Sequence, residues 1–258
     1  MKVTPSLRDQ LRAQLADLKM PGALEALDEI LSGLDGGTLK ASAALTALLA
    51  AQIALRNHRR LDAAMRSSRL PAVKTLADFD FSFQPSVKRE QMESLHTLGF
   101  LERKENVVFL GPTGTGKTWL ACALGQSACR QGHTVRYVRL PRLLSDELVL
   151  ARADGSYGKL MQTMAKTDLL ILDDWGLAPL GDRERRDLLE LIEERAGRRA
   201  TLVTSQLPIE HWHEMIGDAT FGDAILDRLV HHAHRLTLTG GSLRRLAPTT
   251  KSPASQAD

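Results

Sequence analysis

Two cysteines among 258 residues, Cys122 and Cys129, are too few for a disulfide framework. Their spacing matches no metal-ligand pattern, so they read as core thiols of a reducing compartment. The histidines form no metal pattern either: His211 and His213 flank Trp212, and His231, His232 and His234 cluster later, without an HExxH or Cys/His zinc arrangement. Long apolar runs are missing. The least polar stretch, Ala41 to Leu55, contains Ser42, Thr46 and Gln52 and falls short of the roughly 20 residues a bilayer span needs, so a packed helix and no membrane partner are expected. Met1 to Gln10 carries charges and lacks the apolar core of a secretory signal, which sets the expectation of a cytoplasmic protein. Neither charge dominates: 34 Lys and Arg face 31 Asp and Glu, so an anionic partner would have to be met by local clusters.

What the sequence does contain is ordinary in bulk and specific in detail. A hydrophobic content of 43% and a charged content of 25% fit one α/β domain with a small accessory domain. Gly111-Pro112-Thr113-Gly114-Thr115-Gly116-Lys117-Thr118 fits G-x-x-x-x-G-K-[ST], the phosphate-binding loop. Its flanks agree. Asn106 to Leu110 is a short apolar, β-prone run, and Trp119 to Leu124 begins a helical pattern. Glycines there let successive backbone N–H groups turn toward phosphate oxygens at the positive end of the following helix. The expected ligands are ATP and Mg²⁺, with Gly111 to Trp119 as the nucleotide contact, Lys117 reaching the β and γ phosphates, and the Thr118 hydroxyl on the cation.

Texture divides the chain into a helical region over 1–74, a tether over 75–86, an α/β domain over 87–246 and a polar, disordered tail over 247–258. Leu7, Leu11, Leu15 and Leu18 recur at helical spacing; Leu24, Leu27, Ile30, Leu31 and Leu34 form a second stripe. A third helix ends in Arg56, Arg59, Arg60, Arg66 and Arg69, followed by Lys74. This tract reads either as a solvated face or as a phosphate-backbone contact for duplex DNA. Phe79, Phe81 and Phe83 in the tether are expected to dock on the next domain. Strands are expected at Val107 to Leu110, Thr134 to Val138, Leu169 to Asp173, Thr201 to Ser205 and Arg235 to Leu238, in a largely parallel five-stranded sheet. The third delivers Asp173 and Asp174 to its carboxyl end, where such sheets place ligands. Asp173 suits the Mg²⁺ shell, and Asp174 is placed to orient or deprotonate an attacking water. Gly155-Ser156-Tyr157-Gly158 and Lys159 read as a loop, either plain or tracking DNA with Arg139, Arg142 and Arg152.

The phosphate loop, the Leu-Leu-Ile-Leu-Asp-Asp strand end, Thr204-Ser205-Gln206 and the Ala224 to Leu229 segment resemble a AAA+ ATPase of the DnaC/IstB group, most of all the IstB-like helper ATPases of transposition. The likeness runs over nearly the whole chain. It implies a AAA+ P-loop core behind a small helical domain, ATP hydrolysis, assembly on duplex DNA and service to a cognate transposase in target-site selection. It also implies a polar contact to the γ phosphate from Thr204, Ser205 or Gln206, with Ser205 and Gln206 carried as the candidates. Arg228 matches the family's arginine finger, which implies a homo-oligomer with ATP at subunit interfaces. Departures are Asp174 where many relatives have Glu, and too little chain after Leu238 for a full helical lid, which leaves Arg244 or Arg245 as a partial substitute or a DNA contact. Three alternatives stay open: a DnaC-like helicase loader, a small-molecule kinase, and a nucleotide-gated DNA scaffold with negligible turnover.

Overall fold

The computed structural model describes residues 5–242; the tail and the Arg244-Arg245 pair lie outside them. Two compact units divide the chain between Ala63 and Ala64.

The first unit is helical: α1 (Leu7–Asp17), α2 (Pro21–Asp35) and most of α3 (Ala41–Ser68). Ser6 starts α1 by accepting from the Asp9 N–H while the Asp9 carboxylate returns to the Ser6 backbone, a capping box. Pro21 opens α2, where its missing N–H is no loss. Leu15, Ala23 and Leu27 make a small core with Leu24, Leu31 and Leu48 against it. The buried Gln52 amide oxygen on α3 accepts from the N–H groups of Gly22 at 2.8 Å and Ala23 at 3.3 Å. Those are donors that a helix start leaves without an intrahelical partner. Of the first leucine stripe only Leu15 is buried; Leu7, Leu11 and Leu18 are exposed, as are Leu45, Leu49 and Ile53 along α3.

The division falls inside α3, earlier than the change of texture at residue 74. Ser68 is fully buried in the second unit, and Leu70 packs close over Gly125. The segment after α3 is turned rather than extended, with a 3-10 turn at Leu76–Asp78 and Phe79 buried between Phe81 and Trp119. Short helices α4 (Arg89–His96) and α5 (Gly99–Arg103) lead into the sheet.

The five strands are β1 (Val107–Leu110), β2 (Val135–Arg139), β3 (Leu169–Trp175), β4 (Ala200–Ser205) and β5 (His234–Thr237), all parallel, in the order β2-β3-β4-β1-β5. Covered on both faces, the central strands read as unbroken apolar runs, and Val107 to Phe109, Leu169 to Leu172, Leu202 and Val203 are fully buried. One face carries α6 (Lys117–Arg130), whose Gly125 meets the Ile171 side chain. After β2 the chain runs through α7 (Leu140–Arg142), a π-helical turn at Leu143–Glu147, α8 (Leu148–Ala153) and α9 (Tyr157–Lys166). Beyond β3 come α10 (Asp182–Arg195), α11 (Trp212–Ile216) and α12 (Ala219–Val230). Trp175, Trp212, Leu188, Leu191, Ile192, Ile225 and Leu229 fill the core on the face opposite α6.

Tyr157, Gly158 and Lys159 therefore open a helix instead of forming a free loop. The Tyr157 hydroxyl donates to Asp187 at 3.1 Å and Glu190 at 2.9 Å on α10, and Arg152 is bonded to Asp187 while lying 4.0 Å over the Tyr157 ring. Arg152 is thereby committed inside the unit. Among the described residues no helix is long and apolar enough to cross a membrane.

Candidate nucleotide site

The parallel order brings the carboxyl ends of β1, β3 and β4 side by side. The loop Gly111 to Gly116 leaves β1 and enters α6, whose first N–H groups lack intrahelical acceptors. Gly111, Gly114 and Gly116 all have positive φ, and at the first two a side chain would also collide. Gly111 has φ +136°, and a Cβ there would overlap the Leu238 carbonyl oxygen; Gly114 has φ +85°, and a Cβ would strike the Ser242 hydroxyl. Lys117 is almost fully buried and its Nζ donates to the carbonyls of Gly111 at 2.6 Å and Pro112 at 2.8 Å, folded back along the loop. Burial pulls its ammonium below the usual lysine value, with Asp173 and Asp174 opposing.

Asp173 is nearly inaccessible and accepts from three hydroxyls. Thr118 Oγ1 lies 3.0 and 3.1 Å from its two oxygens, Tyr137 donates to Oδ2 at 2.5 Å, and Thr204 donates to Oδ1. Burial, then the Asp173 carboxylate, pushes the Tyr137 phenol well above its ordinary value, which keeps it a donor. Asp174 turns the other way. One extra residue sits on β3 between the pairs Leu172–Val203 and Trp175–Ser205, and Asp174 adopts φ +62°, a left-handed conformation that Asp tolerates better than most residues. Its Oδ2 accepts from Arg139 Nε at 2.7 Å. Arg139, which the sequence offers as a DNA contact, is here the partner of the second acid.

The strand-end triplet separates by side-chain direction. Thr204 reaches Asp173 and also accepts from the Asp174 N–H at 3.3 Å. Gln206 accepts from the Thr113 hydroxyl of the loop at 2.6 Å. Ser205 is fully buried and donates to the Trp175 carbonyl, so it points away from the site; consecutive strand residues alternate faces. Gln84, which the sequence did not single out, supports the loop from behind by donating to the Thr115 carbonyl at 2.9 Å.

A cavity of about 250 Å³ lies beside the loop, lined by Gly114, Gly116, Lys117, Thr118 and Trp119 and closed by Pro71, Ala72 and Lys74. Lys74 lies 5.8 Å over the Trp119 ring, which places it in the surroundings of the loop. Arg69 pairs with Glu147 at 3.3 Å. Arg56, Arg59, Arg60 and Arg66 remain exposed on α3, the first three in the helical unit and Arg66 in the second. A larger hollow of about 660 Å³ lies between α9 and α10; it is lined by Glu190 and Glu194 with Lys166, Arg198 and Arg199 but holds no part of the phosphate-binding loop, so chemistry rather than size locates the site.

Arg228 is far from this cluster. The Asn106 side chain, just before β1, donates to the carbonyls of Arg228 at 2.8 Å and Leu229 at 3.2 Å. That sets the arginine at the amino end of the sheet, five residues of extended strand from Gly111, or about 16 Å. Its guanidinium pairs with Glu193 at 2.9 Å and is one-third exposed.

Residues 13–251 match the family model described as IstB-like ATP binding protein. The chain belongs to the IstB-like ATP-binding family. A Sinorhizobium fredii protein named as the insertion sequence ATP-binding protein y4pL is 44% identical over 232 residues, covering 90% of this chain and 94% of that one. The IS21 ATP-binding protein of Pseudomonas aeruginosa is 39% identical over 189 residues, covering 73% and 71%. Among solved structures, DnaI superposes with a TM-score of 0.57 at 18% identity, over 64% of this chain and 91% of its own. AMPPCP-bound DnaA from Aquifex aeolicus gives 0.52 at 18%, over 65% and 51%. These two share the fold: a AAA+ P-loop core with a parallel five-stranded sheet. Family and fold together make this chain an ATP-binding ATPase.

Proposed function

We propose that this ATPase binds ATP with Mg²⁺ between subunits, assembles on duplex DNA and assists the transposase of its insertion sequence in choosing target sites. The residues fit that ligand. Gly111 and Gly114 let the loop turn where a side chain would collide with Leu238 or Ser242, and the Thr118 hydroxyl with the Asp173 carboxylate is a hard-oxygen pair of the kind Mg²⁺ prefers. The bound nucleotide supplies a phosphoanhydride whose γ phosphoryl passes to water while the cation draws off charge. Lys117 would leave the Gly111 and Pro112 carbonyls for the phosphates. Asp174, once released by Arg139, would orient the attacking water, and Thr204 would hold the two acids in register. Gln206 is placed to follow the loop through Thr113.

The observation that supports the reading is that the residues the resemblance assigns to catalysis lie at two ends of the sheet. Lys117, Thr118 and Asp173 cluster at the carboxyl ends, whereas Arg228 sits beside Asn106 at the amino ends and cannot serve its own phosphates. A second subunit would bring an Arg228 to the site, so ATP favours assembly and hydrolysis loosens it. The link to DNA and to a transposase is supported by the relatives, which are named for insertion sequences. The exposed arginines of α3 would hold DNA through phosphates, with little direct sequence preference.

The test is sizing of the protein on a long duplex with and without ATP, at several salt concentrations, beside Arg228→Ala. Large, salt-sensitive assemblies that need ATP and Arg228 are expected, with turnover in the variant down by about 10³-fold. A monomer indifferent to duplex DNA would sink the proposal.

A further inference from the structure

The hydroxyl of Tyr137 has no role in the nucleotide reading given so far, yet it is placed with care. Tyr137 lies on the edge strand β2, paired in register with Ile171, and its ring is buried while its oxygen meets Asp173 Oδ2 at 2.5 Å. Phenylalanine would fill the same space without burying a polar atom, and a buried hydroxyl is tolerated only when it is bonded. A carboxylate offers about four acceptor positions. At Asp173 they are met from three directions: Tyr137 from β2 on one side, Thr204 from β4 on the other, and Thr118 from α6 in front. The first two donors sit on strands that flank β3 in the sheet and have no room to leave. Thr118 opens α6 beside the cavity and is only half-buried, so it is the donor that a cation can replace or share.

We propose that Tyr137 is a positioning residue for Mg²⁺: with Thr204 it clamps the plane of the Asp173 carboxylate, so that the remaining lone pairs face Thr118 and the phosphate loop. This rests on the ATP–Mg²⁺ reading of the site and adds a residue to it. Partners that orient a metal ligand from behind are commonly worth 10- to 100-fold in metal affinity. Asp173 needs such help more than most carboxylates. The extra residue in β3 next to it and the left-handed Asp174 leave the strand end without a regular ladder to fix its direction.

The experiment is binding of a fluorescent ATP analogue to Tyr137→Phe and to the wild type, in EDTA and across a Mg²⁺ titration, with Asp173→Asn alongside. In the wild type Mg²⁺ tightens binding. In Tyr137→Phe the EDTA affinity should match the wild type, while the Mg²⁺ concentration that gives half of the tightening rises about tenfold. An unchanged Mg²⁺ midpoint overturns the proposal. So does an equal weakening in EDTA and in Mg²⁺, which is what general loosening of the fold would give, and a thermal melt of the same sample identifies that case. A wild type whose binding ignores Mg²⁺, or an Asp173→Asn variant that keeps the full Mg²⁺ response, removes the cation reading of the site itself and the tyrosine's role with it.

Discussion

Around Asp173 the ATPase unit directs three hydroxyls onto one carboxylate, whereas the helical unit leaves Leu45, Leu49 and Ile53 in solvent along one face of α3. The first region is complete at its centre: both oxygens of the buried Asp173 carboxylate have found donors from the same unit. The second has a core of little more than Leu15, Ala23 and Leu27, and more apolar side chain than that core takes in. Substitutions in the two regions should therefore fail differently, by chemistry in one and by packing at a few positions in the other.

The largest effect is expected at Lys117. Its ammonium is desolvated and held by two loop carbonyls, ready for phosphate charge. Lys117→Ala should lower ATP turnover by about 10³-fold, as loss of a preorganised cationic donor does, and should leave the melting temperature almost unchanged. Steady-state phosphate release with a thermal melt checks both; a large drop in melting temperature would mean that the lysine is a structural clamp.

Arg195 is such a clamp. It is almost wholly buried and donates to the carbonyls of Met164, Thr167 and Ala200 and to the Thr201 hydroxyl, tying the end of α9 to the start of β4. Burial, with Arg199 adding to it and Asp168 opposing, draws its pKa down to about 9. Arg195→Met keeps the volume and strands those acceptors, so the ATPase unit should lose about 3 kcal/mol. The three tryptophans, Trp119, Trp175 and Trp212, all lie in that unit, so their fluorescence follows it alone. An unchanged denaturation midpoint by tryptophan fluorescence would refute the clamp.

Within the helical unit the same truncation should give two answers. Leu27→Ala empties a buried position and should cost about 2 to 3 kcal/mol, while Leu49→Ala, on the exposed row, should stay within about 0.5 kcal/mol. Far-UV circular dichroism in urea compares them. Equal costs would show that Leu49 is covered in solution.

These contrasts track what could be read from the residues in order. The five strands were placed within one or two residues, because parallel strands buried on both faces read as plain apolar runs between turns. The loop and Asp173 were legible because their chemistry is local to a few consecutive residues. The contacts that Thr204, Tyr137 and Arg139 make with the two acids were not, because they depend on strand register and on one extra residue in β3, neither of which is written in any single segment. The intramolecular contacts of Lys74 and Arg152 are hidden for a related reason. Both stand in basic company along the chain, but Trp119 and Asp187 claim them across it.

The smallest effect tests a single ion pair at the amino end of β3. Burial raises the Asp168 carboxyl, but the Thr134 N–H at 2.9 Å and hydroxyl at 2.8 Å, with Arg199 nearby, outweigh it and leave the group below the ordinary value. A carboxylate depressed in the folded state adds stability above its unfolded pKa near 4, and that stability is lost as pH falls through the folded value. Asp168 is about one-third exposed, so solvent screening keeps the contribution under about 1 kcal/mol. Asp168→Asn should therefore melt slightly below the wild type at pH 7, and the gap should close as the pH is taken from 4 toward 2. A gap that persists through the acid range would assign the effect to the Thr134 hydrogen bonds as geometry and not to the charge.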